Sequence, residues 1–281
     1  MELRPARAAS AALAVAAACG AAAPSAAARQ LPVVPPPGPP ERSADMAAAS
    51  GARTAAPPPG TSRRLSDERT RSRWAFVLRR TWARRAPSVR ARHIKFLRTA
   101  VKGTGSPELV LLLREYTTRR GEVWVKVRLP MRPNNRTGWV LRRRLGRYHV
   151  VRKQLVIDRR HFIASLYAMI RGRRRKIWTS RIGVGEPRWP TPRGRFYVRE
   201  RLLVPRTRYM RMWYGSFAFG TSAHSATLSG GNWGEGVVGI HGTGWPWLIP
   251  GRISHGCVRV YNHKIRRLRR LMRLGTPIRI K

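Results

Sequence analysis

Near the C-terminus, the run Ser254-His255-Gly256-Cys257-Val258-Arg259-Val260 puts a thiol two residues from an imidazole and two from a guanidinium. Read as a strand, it places His255, Cys257 and Arg259 on one face and Val258 and Val260 on the other, where they can be core. Cationic neighbours stabilise a thiolate, lower the thiol pKa and so supply a nucleophile. Gly256 lets the backbone approach a substrate closely, and the N–H groups of Gly256 and Cys257 are candidate oxyanion donors for a tetrahedral intermediate. Sixteen residues upstream of Cys257, His241 ends the apolar run Val237-Val238-Gly239-Ile240 and precedes Gly242-Thr243-Gly244. A sheet that pairs these two segments brings a second imidazole to the thiol, because Cys-His pairing requires proximity in space only. Alternation by itself nominates His255 as the base.

The elements around these residues read as mostly β. From residue 150 to the C-terminus, Leu155 to Ile157, Phe162 to Ile170, Lys176 to Val184, Arg195 to Val198, Val237 to His241, Ser254 to Tyr261 and Thr276 to Ile280 are short β-prone runs between Arg and Gly turns. One helix is expected, capped by Asn262 and running from His263 to Leu274, with Ile265, Leu268, Leu271 and Met272 toward the sheet and Gly275 ending it. The Gly-rich stretch from Tyr214 to Gly236, with Trp213, Phe217, Phe219, His224 and Trp233, reads either as a lid over a groove or as a packed surface loop. Upstream, residues 86–149 read as a small β-barrel, with strands at Glu108 to Tyr116, Gly121 to Leu129 and Gly138 to Leu141.

Residues 29–85 read as a linker. Nine of the 22 prolines fall between Arg29 and Gly60, which favours an extended tether. Ser66 to Arg85 is expected to add a short basic helix, with Asp67 and Glu68 in its first turn and Trp74, Leu78 and Trp82 four apart. Residues 1–28 have the order of an export signal: Arg4 and Arg7, an Ala-rich apolar core, then Ala26-Ala27-Ala28. The protein is therefore expected in the cell envelope or wall. A lipoprotein acylated at Cys19 is a weaker alternative, since Ala16 stands where such sites usually carry Leu.

Two motifs resemble a known family. His241-Gly242-Thr243 followed by Ser254-His255-Gly256-Cys257-Val258-Arg259 resembles the signature of L,D-transpeptidases of the YkuD type, and Ile182-Gly183-Val184-Gly185 followed by Thr191-Pro192-Arg193-Gly194-Arg195-Phe196 is similar to its second common element. The resemblance covers about Val151 to Lys281 and implies a YkuD-like β-sandwich over residues 150–281. It also implies a Cys acyl-enzyme open to carbapenems, and peptidoglycan stem peptides as substrate. It makes Cys257 the nucleophile, His241 the base, and Gly242 the residue whose carbonyl orients that imidazole, with His255 a secondary polar group. Ser254, Thr243 and Arg259 fall to substrate binding, Arg259 either holding a substrate carboxylate or bracing the loop. The run VWVKVRLPMRPNNRTGWV resembles bacterial Src-homology-3-like modules, which implies wall binding or positioning for residues 86–149.

Charge narrows the partners. The 281 residues carry 58 Lys plus Arg against 12 Asp plus Glu, a formal +46, and only seven of the cations are Lys. Such a chain wants an anionic environment. A nucleic-acid binder is the rival class, but the Arg is spread through every segment and an exported protein does not meet the chromosome. Acidic wall polymers and stem-peptide carboxylates fit the charge equally well. No run reaches the ~18 strongly apolar residues of a spanning helix, and two cysteines cannot build a disulfide framework. No metal, nucleotide or other cofactor motif occurs, and His93, His149, His161 and His263 lack any motif context. The expected protein is a cofactor-free monomer.

Overall fold

The computed structural model describes residues 60–228, 230 and 234–281. The expected leader with Cys19, the proline-rich tether up to residue 59, and Trp233 lie outside the described residues.

The first sheet holds β1 (Ser62–Arg64), β2 (Ser72–Phe76), β3 (Thr81–Arg84), β4 (His93–Leu97), β5 (Leu109–Thr117), β6 (Val123–Arg128), β7 (Thr137–Leu141) and β8 (His149–Val151). They run in the order β4-β3-β7-β6-β5-β2-β8, with β1 also on β5, and form a barrel-like sheet around Ala75, Val110, Leu112, Val125, Val127 and Val140. The expected basic helix over Ser66 to Arg85 does not form; β2 and β3 take its place. Asp67 folds a tight loop instead of opening a helix, its carboxylate accepting the N–H groups of Arg69, Thr70 and Arg71 at 2.8, 2.7 and 3.0 Å. Glu68 beside it has φ 59°, which a right-handed helix cannot contain. The four-residue spacing was also misleading, since Trp74 is buried while Leu78 and Trp82 are exposed. The sheet therefore begins at Ser62, well before residue 86.

The second unit contains β9 (Lys153–Asp158), β10 (Ile163–Ile170), β11 (Arg173–Gly185), β12 (Gly194–Leu203), α1 (Arg208–Tyr214), β13 (Phe217–His224) and β14 (Val237–His241). It ends with β15 (Gly251–Ser254), β16 (Val258–Val260), α2 (Asn262–Leu271) and β17 (Pro277–Ile280). The strand order is β10-β9-β17-β12-β13-β14-β16-β11-β15, with β10 returning to β11. Two long strands join its halves. β11 pairs with β10 up to Arg181 and with β16 from Ile182, and β12 passes from β17 to β13. Leu155, Ile157, Ile182, Val198, Phe219, Ile240 and Val258 fill the space between, closed by Ile265 and Leu268 of α2.

Three local expectations change. Phe217–His224, expected within a lid or surface loop, is a central strand buried at every position. Its Gly, Thr and Ser content suggests a loop, but the hydroxyls are satisfied inside: Thr221 Oγ1 donates to the Val238 carbonyl at 2.6 Å, and Ser222 Oγ accepts the Tyr197 N–H at 3.0 Å. The single strand expected from Ser254 to Tyr261 is broken into β15 and β16 by a turn at 255–257, where Gly256 has φ 110°. Helix α2 starts at Asn262 and stops at Leu271, and the Asn262 side chain does not cap it.

The two units pack as one body. Arg199 of β12 forms a forked pair with Glu108, through Nε at 2.8 Å to Oε1 and through a second nitrogen to Oε2, both side chains 4% exposed. Tyr197 Oη donates to the Leu109 carbonyl at 3.1 Å, and both residues share an apolar cluster with Trp74, Leu111 and Val151. Asn134, in the β6–β7 turn, accepts the His224 N–H at 3.0 Å and donates to its carbonyl at 2.7 Å, as a neighbouring strand would. Among the described residues no helix is long and apolar enough to cross a membrane.

Candidate active site

β14 and β16 are parallel neighbours, with Ile240 opposite Val258 and His241 opposite Arg259. Cys257, one residue before β16, therefore falls beside Gly239, whose N–H donates to Cys257 Sγ at 3.2 Å. Residues 239 and 241 share a face of β14. A Cβ placed on Gly239 would lie 3.7 Å from Cys257 Sγ and 3.8 Å from His241 Cδ2, so sulfur and imidazole flank a position left without a side chain. Both are buried, Cys257 at 1% and His241 at 0% exposure.

His241 Nδ1 lies 2.6 Å from the Gly242 carbonyl oxygen. A carbonyl only accepts, so Nδ1 carries the hydrogen and Nε2 keeps its lone pair. Burial lowers the His241 pKa to about 3, with the Arg259 charge adding and the Gly242 carbonyl opposing, so the ring is neutral at pH 7. The carbonyl is itself held. Asn262 Nδ2 donates to the next carbonyl, that of Thr243, at 2.8 Å, and a Cβ on Gly242 would fall 2.2 Å from Asn262 Oδ1 and 3.1 Å from Gly215 Cα. Gly215 ends α1, which sets the buried Tyr214 ring 5.1 Å from the His241 ring.

The turn that presents Cys257 is closed from both sides. Ser254 Oγ, fully buried, donates to the Cys257 carbonyl at 2.6 Å and accepts the Gly256 N–H at 3.2 Å. Thr191 Oγ1 donates to the Gly256 carbonyl at 2.8 Å and accepts the Gly185 N–H at 2.8 Å. A Cβ on Gly185 would stand 2.1 Å from the Trp189 carbonyl oxygen, so only glycine lets this loop dock. The arrangement joins a sulfur, an oriented neutral base and a rigid turn. Residues 152–280 match the family model of YkuD, the L,D-transpeptidase catalytic domain.

Solved structures similar to the chain include Bd1075 of Bdellovibrio bacteriovorus, 26% identical over 46% of this chain and 47% of that one, with a TM-score of 0.37. An L,D-transpeptidase from Mycobacterium smegmatis is 14% identical over 57% of this chain and 90% of its own, with a TM-score of 0.35. The helical cell shape determining protein Pgp2 from Campylobacter jejuni is 19% identical over 46% of this chain and 47% of its own, with a TM-score of 0.35. The chain spans about half the length of the Bdellovibrio and Campylobacter proteins. No curated protein matches it.

Within the matched region the remaining residues of the motif divide by position. His255 lies on the turn, not on β16, so strand alternation does not govern it; its ring stands 4.2 Å from that of Trp189. Ser254 faces the turn it closes, and Thr243 Oγ1 accepts the Trp245 N–H at 3.1 Å, so both hold backbone. Arg259 is 4% exposed, with its guanidinium 5.9 Å from the Trp213 ring and 5.6 Å from the Trp245 ring. Burial lowers its pKa, and its Nε has no hydrogen-bond partner among the described residues. His224 lies at the far end of β13 from the residue paired with His241. Burial, then the charges of Arg199, Lys95 and Arg132, lower its pKa to about 3.

Sequence reasoning passed over Gly239, Gly215 and the loop-holding role of Asn262, and took Tyr214 only as one aromatic of a lid or surface loop. Their contacts are between elements distant in the chain. Thr191 did carry a signal, as part of the Thr191-Pro192 motif, but its two hydrogen bonds appear only when that loop meets the turn at Gly256.

Proposed function

We propose that this protein is a peptidoglycan L,D-transpeptidase that forms 3→3 cross-links through a thioester on Cys257. One observation supports it above the rest: Cys257 Sγ and the His241 ring flank the bare Gly239 position, and His241 Nδ1 is tied to the Gly242 carbonyl at 2.6 Å. Cys257 does not stand as a free thiol here, so the nucleophile is its reduced form.

In this reading the sulfur attacks the carbonyl between the third residue and the terminal D-Ala of a tetrapeptide stem. Its proton passes to His241 Nε2, and the Gly239 N–H bonded to sulfur favours the thiolate. Of the two expected oxyanion donors the Gly256 N–H is already taken by Ser254 Oγ, so the role falls to the Cys257 N–H. The C–N bond then breaks, His241 returns its proton to the leaving D-Ala amine, and the thioester remains. The side-chain amine of a neighbouring stem's third residue attacks the thioester, giving up a proton through His241, and the thiol is regenerated. Arg259 sits opposite His241 on β16, buried and, among the described residues, in no ion pair, as a residue bracing the cleft against Trp213 and Trp245. The enzyme acts in the cell envelope after export by the leader, and the barrel-like unit, Src-homology-3-like in its sequence, positions it on the wall.

The test is incubation of the purified chain, with reductant, on disaccharide-tetrapeptide, followed by mass spectrometry. Dimers bearing a 3→3 bond and released D-Ala are expected. Cys257→Ala should give none, and His241→Ala should be slower by about 100-fold or more. Tripeptide alone would make the enzyme a hydrolase of the same thioester. Absence of both products, while a carbapenem still adds to Cys257, would refute the substrate. Recovery of uncleaved protein from the cytosol would refute export.

A further inference from the structure

On the sheet face opposite Cys257, five arginines line one concavity. Along β13, Phe217 and Phe219 turn to the α2 side with Ile265 and Leu268, while Ala218 turns to the side of Cys257. Over the α2 side, Arg201 of β12, Arg266, Arg269 and Arg270 of α2, and Arg273 just after it line an open concavity of about 510 Å³. No carboxylate among the described residues forms an ion pair with any of them. Buried Phe217 lies beneath two of them, with the guanidinium groups of Arg201 and Arg269 at 5.8 and 5.1 Å from its ring, and Arg201 also donates to the Arg269 carbonyl at 2.7 Å. Arg201 has its pKa lowered by burial and then by the charges of Arg269 and Arg273, as expected where cations are gathered without a counter-charge.

We propose that this arginine pocket binds a linear phosphodiester polymer of the glycerol-phosphate kind. A forked guanidinium matches a phosphate as well as a carboxylate, but a single stem-peptide carboxylate leaves four of five charges uncompensated, whereas a polymer brings one phosphate per repeat. Helix α2 keeps Ile265 and Leu268 buried, so it has no apolar face to sink into a bilayer. The aromatic ring beneath the arginines, Phe217, is buried, so it offers no stacking platform for bases. The pocket lies across the sheet from the candidate active site, and the proposal does not depend on the catalytic reading.

A chain of formal charge +46 attracts any polyanion, so the test compares equal losses of charge. In Arg266→Gln/Arg270→Gln/Arg273→Gln the three replaced side chains are exposed, and Arg201 and Arg269 stay to cover Phe217. The control, Arg119→Gln/Arg120→Gln/Arg147→Gln, removes three exposed charges from the barrel-like unit. Binding of the full chain to a synthetic glycerol-phosphate oligomer, at fixed salt, is expected to weaken at least ~10-fold in the pocket variant and less than ~3-fold in the control. Circular dichroism and carbapenem addition at reduced Cys257 should match wild type in both. Equal losses in the two variants would overturn the pocket. Tighter binding of a DNA duplex of equal charge, or of phosphatidylglycerol vesicles, with the same dependence on the pocket, would overturn the polymer.

Discussion

A methyl group at residue 242 has nowhere to go, since it would meet Asn262 Oδ1 at 2.2 Å and Gly215 Cα at 3.1 Å. The carbonyl displaced by that clash is the one that fixes the His241 tautomer. Gly242→Ala should therefore slow acylation of reduced Cys257 by a carbapenem more than 10-fold, with an overpacking cost of about 1–3 kcal/mol in stability. Asn262→Ala should slow it less, because it removes only the bond to the Thr243 carbonyl. In Gly242→Ala/Asn262→Ala part of the space returns, so the double variant should be faster than the product of the two single effects. Strict additivity, read from acylation rates, would mean that the two residues act apart. The motif His241-Gly242-Thr243 was legible in the sequence, but its anchor Asn262 was read there as a helix cap, since a cap and a loop anchor use the same residue type.

Between elements, the strongest link is the Glu108–Arg199 pair joining β12 to the barrel-like unit, with each side chain 4% exposed. Removing one partner strands a buried charge. Glu108→Gln should cost about 3 kcal/mol in urea unfolding, whereas Glu108→Gln/Arg199→Met should recover much of the loss. Trp74, Leu109 and Leu111 of one unit share an apolar cluster with Tyr197 of the other, so unfolding is expected as one transition. Two separate transitions would show that the units fold independently. The sequence suggests a tether ending in a helix before the barrel, but Asp67 and Glu68 turn the chain, and β2 is buried from both sides. A four-residue spacing of aromatics cannot distinguish a helix from two strands joined by a turn.

At the scale of the whole molecule, two histidines far apart in the sheet are buried neutral. The His241 and His224 pKa values are both lowered to about 3, chiefly by burial, while in the unfolded chain they sit near ~6.5. The unfolded state thus binds more protons between those values. Stability should be full above about pH 6.5 and fall as pH drops toward 3, by on the order of a few kcal/mol for each histidine. His224→Gln should flatten the pH dependence of Tm over that window. An unchanged slope would place the acid sensitivity elsewhere. The same measurement in high salt separates this effect from repulsion among the many arginines, which salt screens.

The candidate nucleophile Cys257, the candidate bases, the mostly β class and the cationic character were legible in the sequence. Each of these rests on a short local motif or on composition. Which imidazole comes to stand beside Cys257 was settled by strand pairing across the fold. His255 is nearer in the chain, but it falls on the turn where Gly256 has φ 110°, whereas His241 arrives by parallel pairing of β14 with β16. Strand pairing between distant segments carries no local signal. For the same reason Phe217–His224 looked like a loop until its neighbours β12 and β14 satisfied its hydroxyls and covered both its faces, and the five arginines became a pocket only when α2 packed across β13.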